Sequence, residues 1–219
     1  MDMYKNSRDC DPLEDTLKWK HPFTCVVAGP SGSGKTDFVL KLLDNADIML
    51  THTPETITWC YGEYQNWMTE YKEINFIEGL PDDLDFNKNK NNLLIIDDLM
   101  HETNEFVSKL FTKGSHHRNL SVMLLTQNIF HQNKHARSIS LNTHYMVIFK
   151  NVRDASQITN LAKQMYPGNV SYLRESYKDA TSKPYGYLLV DLKPDTCDLL
   201  RLRTDIFPGE IHYVYHKKR

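Results

Sequence analysis

The run Gly29-Pro30-Ser31-Gly32-Ser33-Gly34-Lys35-Thr36 constrains this chain more than any other stretch, because it fits G-x-x-x-x-G-K-[ST] in the right surroundings. Before it stands the apolar segment Phe23-Thr24-Cys25-Val26-Val27-Ala28, which reads as a strand, and after it Asp37-Phe38-Val39-Leu40-Lys41-Leu42-Leu43 carries apolar residues at helical spacing. A loop of this kind turns backbone N–H groups inward around a phosphate. Gly29, Gly32 and Gly34 supply the turns, Pro30, Ser31 and Ser33 complete the cradle, Lys35 reaches β- and γ-phosphate oxygens, and the Thr36 hydroxyl suits Mg²⁺. The helix that opens at the loop adds its N-terminal N–H groups to the same anion. A nucleoside triphosphate with Mg²⁺ is the expected ligand.

Composition narrows the setting. At 219 residues the chain can bury a full core, and one α/β domain with short extensions accounts for that length. The net charge of −2 gives no global basic field, so contact with nucleic acid would depend on local groups. Mean hydropathy is −0.54, and no apolar run approaches the ~18 residues of a membrane span. The opening Met1-Asp2-Met3-Tyr4-Lys5-Asn6 lacks an apolar signal region, so the expectation is a protein that is not secreted. Cys10, Cys25, Cys60 and Cys197 are scattered without C-x-x-C spacing and read as reduced thiols.

Along the chain a polar arm over 1–20 leads into an α/β domain over 21–208, followed by a basic tail over 209–219. Strands are expected at 23–28, 56–61, 74–77, 93–96, 121–125 and 145–149, with helices at 35–45, 103–113, 154–165 and 170–180. Such alternation predicts a central, mostly parallel sheet flanked by helices. The apolar segments at 185–191 and 199–204 read as late edge strands or a hairpin completing it.

The run Leu93-Leu94-Ile95-Ile96 ends in Asp97-Asp98, the hydrophobic strand and acidic pair of a Walker B motif. Asp97 is the natural metal carboxylate and Asp98 the base that activates water. Many hydrolysing ATPases carry Glu at the second position, so the shorter Asp98 is a departure. The strand Ser121-Val122-Met123-Leu124-Leu125 delivers Thr126-Gln127-Asn128 to the carboxyl edge, where open α/β sheets bind ligands, and Gln127 reads as a γ-phosphate sensor. Arg118, Arg137 and Arg153 are candidates for an arginine that stabilises phosphoryl transfer, supplied in cis or in trans. Arg118 is placed first among them because it falls between the acidic pair and the sensor strand. His131 and His135 stand four apart, but no glutamate of H-E-x-x-H accompanies them, which speaks against zinc.

These residues resemble the FtsK/HerA superfamily, and within it the poxvirus-type genome-packaging ATPases of large DNA viruses and of Polinton/Maverick or adintovirus-like elements. The resemblance is carried by GPSGSGKT at 29–36, NLLIIDDL at 92–99, HHRNLSVMLLTQNIF at 116–130, RSISLNTHYMVIFKNVRD at 137–154, and GYLLVDL with LRLRTDIFP at 186–192 and 200–208. It implies a RecA-like P-loop NTPase of the additional-strand class, hydrolysing ATP with Mg²⁺. It further implies a homo-oligomeric ring, pentameric or hexameric, that drives double-stranded DNA into a capsid at a portal vertex without reading its sequence. The setting so implied is the cytoplasm or nucleus of a host cell, with association to the virion during assembly and no membrane partner. By position it carries over Lys35 and Thr36, Asp97 with Asp98, Gln127, and Arg118 as the trans arginine.

Lys88, Lys90, Lys113, Arg118 and the end Lys217-Lys218-Arg219 are the basic groups that could touch DNA phosphates. Three other readings share the phosphate loop. A small-molecule or nucleoside kinase would need a late arginine-rich lid, which is not visible, and a nucleotide-binding assembly scaffold would bind without turnover. A regulatory GTPase would need N-K-x-D, and Asn133-Lys134-His135-Ala136 lacks the aspartate.

Overall fold

The computed structural model describes residues 17–81, 84–99, 105–114, 119–129 and 135–217. Six strands, β1 (Thr24–Ala28), β2 (Thr56–Tyr61), β3 (Ile74–Glu78), β4 (Asn92–Asp97), β5 (Leu120–Thr126) and β6 (Tyr145–Phe149), run parallel. Three more, β7 (Tyr187–Asp191), β8 (Leu202–Thr204) and β9 (Tyr213–Val214), continue the sheet antiparallel, giving the order β3-β2-β4-β5-β1-β6-β7-β8-β9. The expected late edge strands are thus present. One strand, β5, stands between the phosphate-loop strand β1 and the acidic-pair strand β4, with Val26 opposite Leu124 and Ile96 opposite Leu124 on its other side.

Strands β1, β4, β5, β6 and β7 are buried at every position, as their unbroken apolar runs require when both sheet faces are covered. Helix α1 (Lys35–Asp44) lays Phe38, Val39 and Leu42 on the face that carries Val27, Ile95 and Leu125, and the short α2 (Ala46–Met49) follows it. The opposite face, with Val26, Leu94 and Leu124, takes α3 (Glu105–Lys109) and the π-helical turn Leu110–Gly114 through Val107 and Leu110. It also takes α4 (Ala136–Leu141), α5 (Ser156–Met165) and α6 (Val170–Ala180) through Ile139, Ile158, Leu161 and Leu173. Helix α6 starts where the Asn169 side chain accepts the Tyr172 N–H at 3.3 Å, satisfying a first-turn donor.

Helix α4 was not expected from the sequence, and the described part of the helix expected over 103–113 is α-helical over Glu105–Lys109 and then winds as a π turn. The end of the polar arm joins the core: Trp19 is 1% exposed and stacks on Tyr145 with centroids 4.5 Å apart. Tyr213–Val214, in the stretch expected as a tail, pair with β8. Cys25 and Cys60 are buried, but Cys197 is disulfide-bonded, so the reading of all four as reduced fails there. Spacing along a chain does not report pairing in space. Among the described residues no helix is long and apolar enough to cross a membrane.

Between β7 and β8 lies a buried ion pair, Arg203 Nη2 to Asp191 Oδ2 at 3.3 Å. Arg203 Nη1 also donates to the Leu17 carbonyl at 3.1 Å, and Asp191 Oδ1 accepts from Thr196 Oγ1 at 2.9 Å and the Lys193 N–H at 3.1 Å. These bonds offset part of the desolvation of two charges.

Candidate active site

The loop after β1 is anchored by the Gly29 N–H, which donates to the Thr126 carbonyl at the end of β5 at 3.0 Å. A Cβ on Gly29 would stand 2.6 Å from Ser33 Oγ and 2.7 Å from Phe149 Cβ, so only glycine fits against β6. Gly32 and Gly34 have φ of 72° and 98°, the left-handed region that glycine enters without strain. Gly34 thereby caps α1 and turns the first-turn N–H groups towards the loop's hollow. Lys35 Nζ donates to the loop's own carbonyls, Gly29 at 2.8 Å and Pro30 at 3.1 Å. Burial lowers its pKa, while Asp98 and then Asp97 act to raise it, so the three charges share one field.

Asp97 ends β4 and is 8% exposed. Burial pushes its carboxyl up to about 6, opposed first by the Trp59 indole N–H and then by Lys35. Although near enough to act on the carboxylate, Trp59 Nε1 closes no hydrogen bond among the described residues. The exposed Asp98 follows with φ 53°. Aspartate tolerates this left-handed backbone better than a longer side chain does, yet the conformation still costs about 1 kcal/mol. Its Oδ1 receives Gln127 Nε2 at 3.5 Å, a long contact that joins the ends of β4 and β5.

The end of β5 is fixed from beyond. Gln157 of α5 accepts the Ile129 N–H at 2.6 Å and donates to Asn128 Oδ1 at 2.9 Å and Asp154 Oδ2 at 2.7 Å. Sequence reading passed over Gln157, a polar residue on an amphipathic helix with no motif around it. A cleft of about 370 Å³ is lined by Pro30, Ser31, Gln127, Asn128, Asn151, Arg153 and Asp154. Arg153 therefore stands beside its own chain's phosphate loop. Exposed Arg137, in the first turn of α4, does not line that cleft. Arg118 and His131 lie outside the described residues, as do Lys218 and Arg219. Lys88 and Lys90 are exposed just before β4, at the sheet edge opposite the phosphate loop, and Lys217 rests over the Tyr166 ring at 4.7 Å.

The residues fit a nucleotide with its metal. Ser33 Oγ is buried and unpartnered among the described residues, the loop is shaped by glycines, and a lysine and a carboxylate flank it. Among the described residues no cluster of three or more His, Cys, Asp or Glu could hold a metal alone. Mg²⁺ asks for less, since it binds through one or two protein ligands together with substrate phosphates and water. Thr36 and Asp97 are the groups that could serve it.

On the other flank of the loop, the turn Lys183-Pro184-Tyr185-Gly186 closes with the Gly186 N–H donating to the Lys183 carbonyl at 3.1 Å. Tyr185 is 70% exposed with φ 59° at the third position, where a turn with proline second normally takes glycine or asparagine. That conformation costs an L side chain about 1–2 kcal/mol. A Cβ placed on Gly34 would meet Tyr185 Cδ1 at 3.2 Å, so the ring rests against the phosphate loop.

This sheet order and this loop define a P-loop NTPase fold of the additional-strand class. The genome packaging NTPase B204 from Sulfolobus turreted icosahedral virus 2, solved with ATP-gammaS, shares it at a TM-score of 0.54 and 12% identity, over 90% of this chain and 98% of that one. The pCW3 conjugation coupling protein TcpA, solved as a monomer with ATPgS, overlaps at 0.47 and 12% identity, over 80% of this chain and 59% of that one. The cytoplasmic domain of the Thermomonospora curvata Type VII secretion ATPase EccC overlaps at 0.47 and 11% identity, over 78% and 24%. No protein-family model and no curated protein matches the sequence.

Proposed function

We propose that this chain is an ATP-hydrolysing motor that moves double-stranded DNA, and that it packages a viral genome into a capsid as a homo-oligomeric ring. The observation that carries hydrolysis is the contact of Asp98 with Gln127 across the ends of β4 and β5, facing a loop that already holds Lys35. In this reading the N–H groups of residues 32–36 and Lys35 bind the triphosphate. Thr36 and Asp97 are the groups that would hold Mg²⁺, which would supply charge neutralisation at the phosphates. Asp98 takes a proton from water, and Gln127 orients that water against the γ-phosphate. Arg153 reaches the same cleft from its own chain; in this reading Arg118, placed ahead of Arg137 by its position between the acidic pair and the sensor strand, is the residue offered to a neighbouring subunit.

The movement of DNA is supported by the motif resemblance and by the fold shared along nearly the whole length of a viral packaging NTPase. Purified protein with Mg²⁺-ATP is expected to release phosphate faster with duplex DNA, whatever its sequence, and to do so as a ring by mass. A Lys35→Ala control is expected to be inactive. Equal phosphate release by both proteins, with and without DNA, would sink the motor, and phosphate appearing on a nucleoside would mark a kinase.

A further inference from the structure

The position of Tyr185 raises a question that phosphate chemistry does not answer. Asp97, Asp98 and Gln127 stand at the ends of β4 and β5, on one side of β1, while Phe149 and Tyr185 stand at β6 and just before β7, on the other. With the carboxylates taken as the reacting side, the opposite flank of the loop, where Tyr185 stands, is the side open to the nucleoside end of a triphosphate held there. Two hollows meet there. One, of about 340 Å³, lies against Pro30–Ser33 and Lys150; the other, of about 610 Å³, reaches from Gly34 and Asp37 to Phe207 and Tyr213; Tyr185 lines both. The larger one is of the size that takes small-molecule ligands.

We propose that Tyr185 is the seat of the nucleobase, its ring stacking against the base of the bound nucleoside triphosphate. The inference rests on the nucleotide-binding reading above and deepens it. A large aromatic ring, mostly exposed and on a backbone that favours glycine, is expensive as structure. Strain of that kind collects where a ligand uses the side chain. The turn is also closely packed. A Cβ on Gly186 would stand 2.5 Å from the Ala180 carbonyl, so the turn sits hard against the end of α6 and presents the ring at a fixed place. Stacking on one ring tolerates any base, with the larger purines gaining more contact than pyrimidines.

The test compares Mg²⁺-ATP, supplied as its slowly hydrolysed γ-thio analogue, with Mg²⁺-tripolyphosphate, which lacks base and sugar, by titration calorimetry on the full chain. Tyr185→Gly is expected to weaken ATP about tenfold or more and leave tripolyphosphate unchanged. The same variant should melt no lower than the parent, because glycine relieves the turn, and Tyr185→Phe should keep ATP affinity. Unchanged ATP affinity in Tyr185→Gly would overturn the assignment. So would an equal loss for both ligands, or wild-type protein that binds the two alike. Binding is read without turnover, so absent hydrolysis would sink the motor while these ratios still decide on Tyr185.

Discussion

Asp97 is held at odds with the charge its metal would need. Its carboxyl moves from an ordinary 3.8 up to about 6 because burial disfavours the anion. Below 3.8 it is neutral in both folded and unfolded chains and contributes nothing to the pH dependence. As pH rises from 3.8 to about 6 the unfolded chain ionises first, and the folded state loses stability, the full penalty of about 2–3 kcal/mol remaining above that window. Asp97→Asn is therefore expected to raise the melting temperature of nucleotide-free protein by about 5 °C at pH 8 and hardly at all at pH 4. It should also lose Mg²⁺-dependent turnover. A lowered melting point at pH 8 would contradict the account. Asp98→Asn tests the neighbouring role. Asparagine also tolerates the left-handed backbone at 98, so the variant should fold and bind ATP while phosphate release falls at least a hundredfold. Unchanged release would place the base elsewhere.

Among the elements, α5 governs how firmly the sensor strand ends. Gln157→Leu would leave the buried Ile129 N–H without its acceptor, at a cost of about 1–2 kcal/mol, and free Asn128. The expected outcome is a drop in kcat with little change in KM, read by steady-state ATPase assays; a change confined to KM would speak against tethering. Much at this scale was legible in the sequence. The runs ending at Ala28, Ile96, Leu125 and Phe149 announce strands covered on both faces, and those strands place the glycine loop, the acidic pair and Gln127 along one edge. What stayed hidden had no periodic signal. Ala136–Leu141 is a six-residue helix with apolar groups only at 136, 139 and 141, too short to show a period, and Tyr213–Val214 is two residues long. Tyr185 opens an apolar segment that reads as a strand, yet it stands in a turn, and its interest comes from a dihedral angle that no letter code shows. The arginine question was open in sequence because only folding reveals that Arg153 and the phosphate loop share a cleft.

For the whole molecule, the proposed ring makes each site depend on a neighbour. If Arg118 serves across the interface, verified mixed rings of Arg118→Ala and Lys35→Ala subunits should regain part of the hydrolysis that neither variant shows alone. Mixed rings that stay inactive would assign the trans role to another residue. DNA-stimulated turnover should also decline steeply with added salt, as contacts to phosphate release counterions, whereas basal turnover should respond little. The sheet order carries a last consequence, for synthesis. The strand that bears the phosphate loop is the first made, yet its partners are Val122–Thr126 on one side and Tyr145–Ile148 on the other. On the ribosome β1 waits, apolar and unpaired, until more than half of the chain has emerged, a long delay for a strand that must sit in the middle. Nascent chains stalled before residue 120 should accordingly be protease-sensitive and blind to ATP. Protection by the nucleotide should begin only once β6 has cleared the exit tunnel.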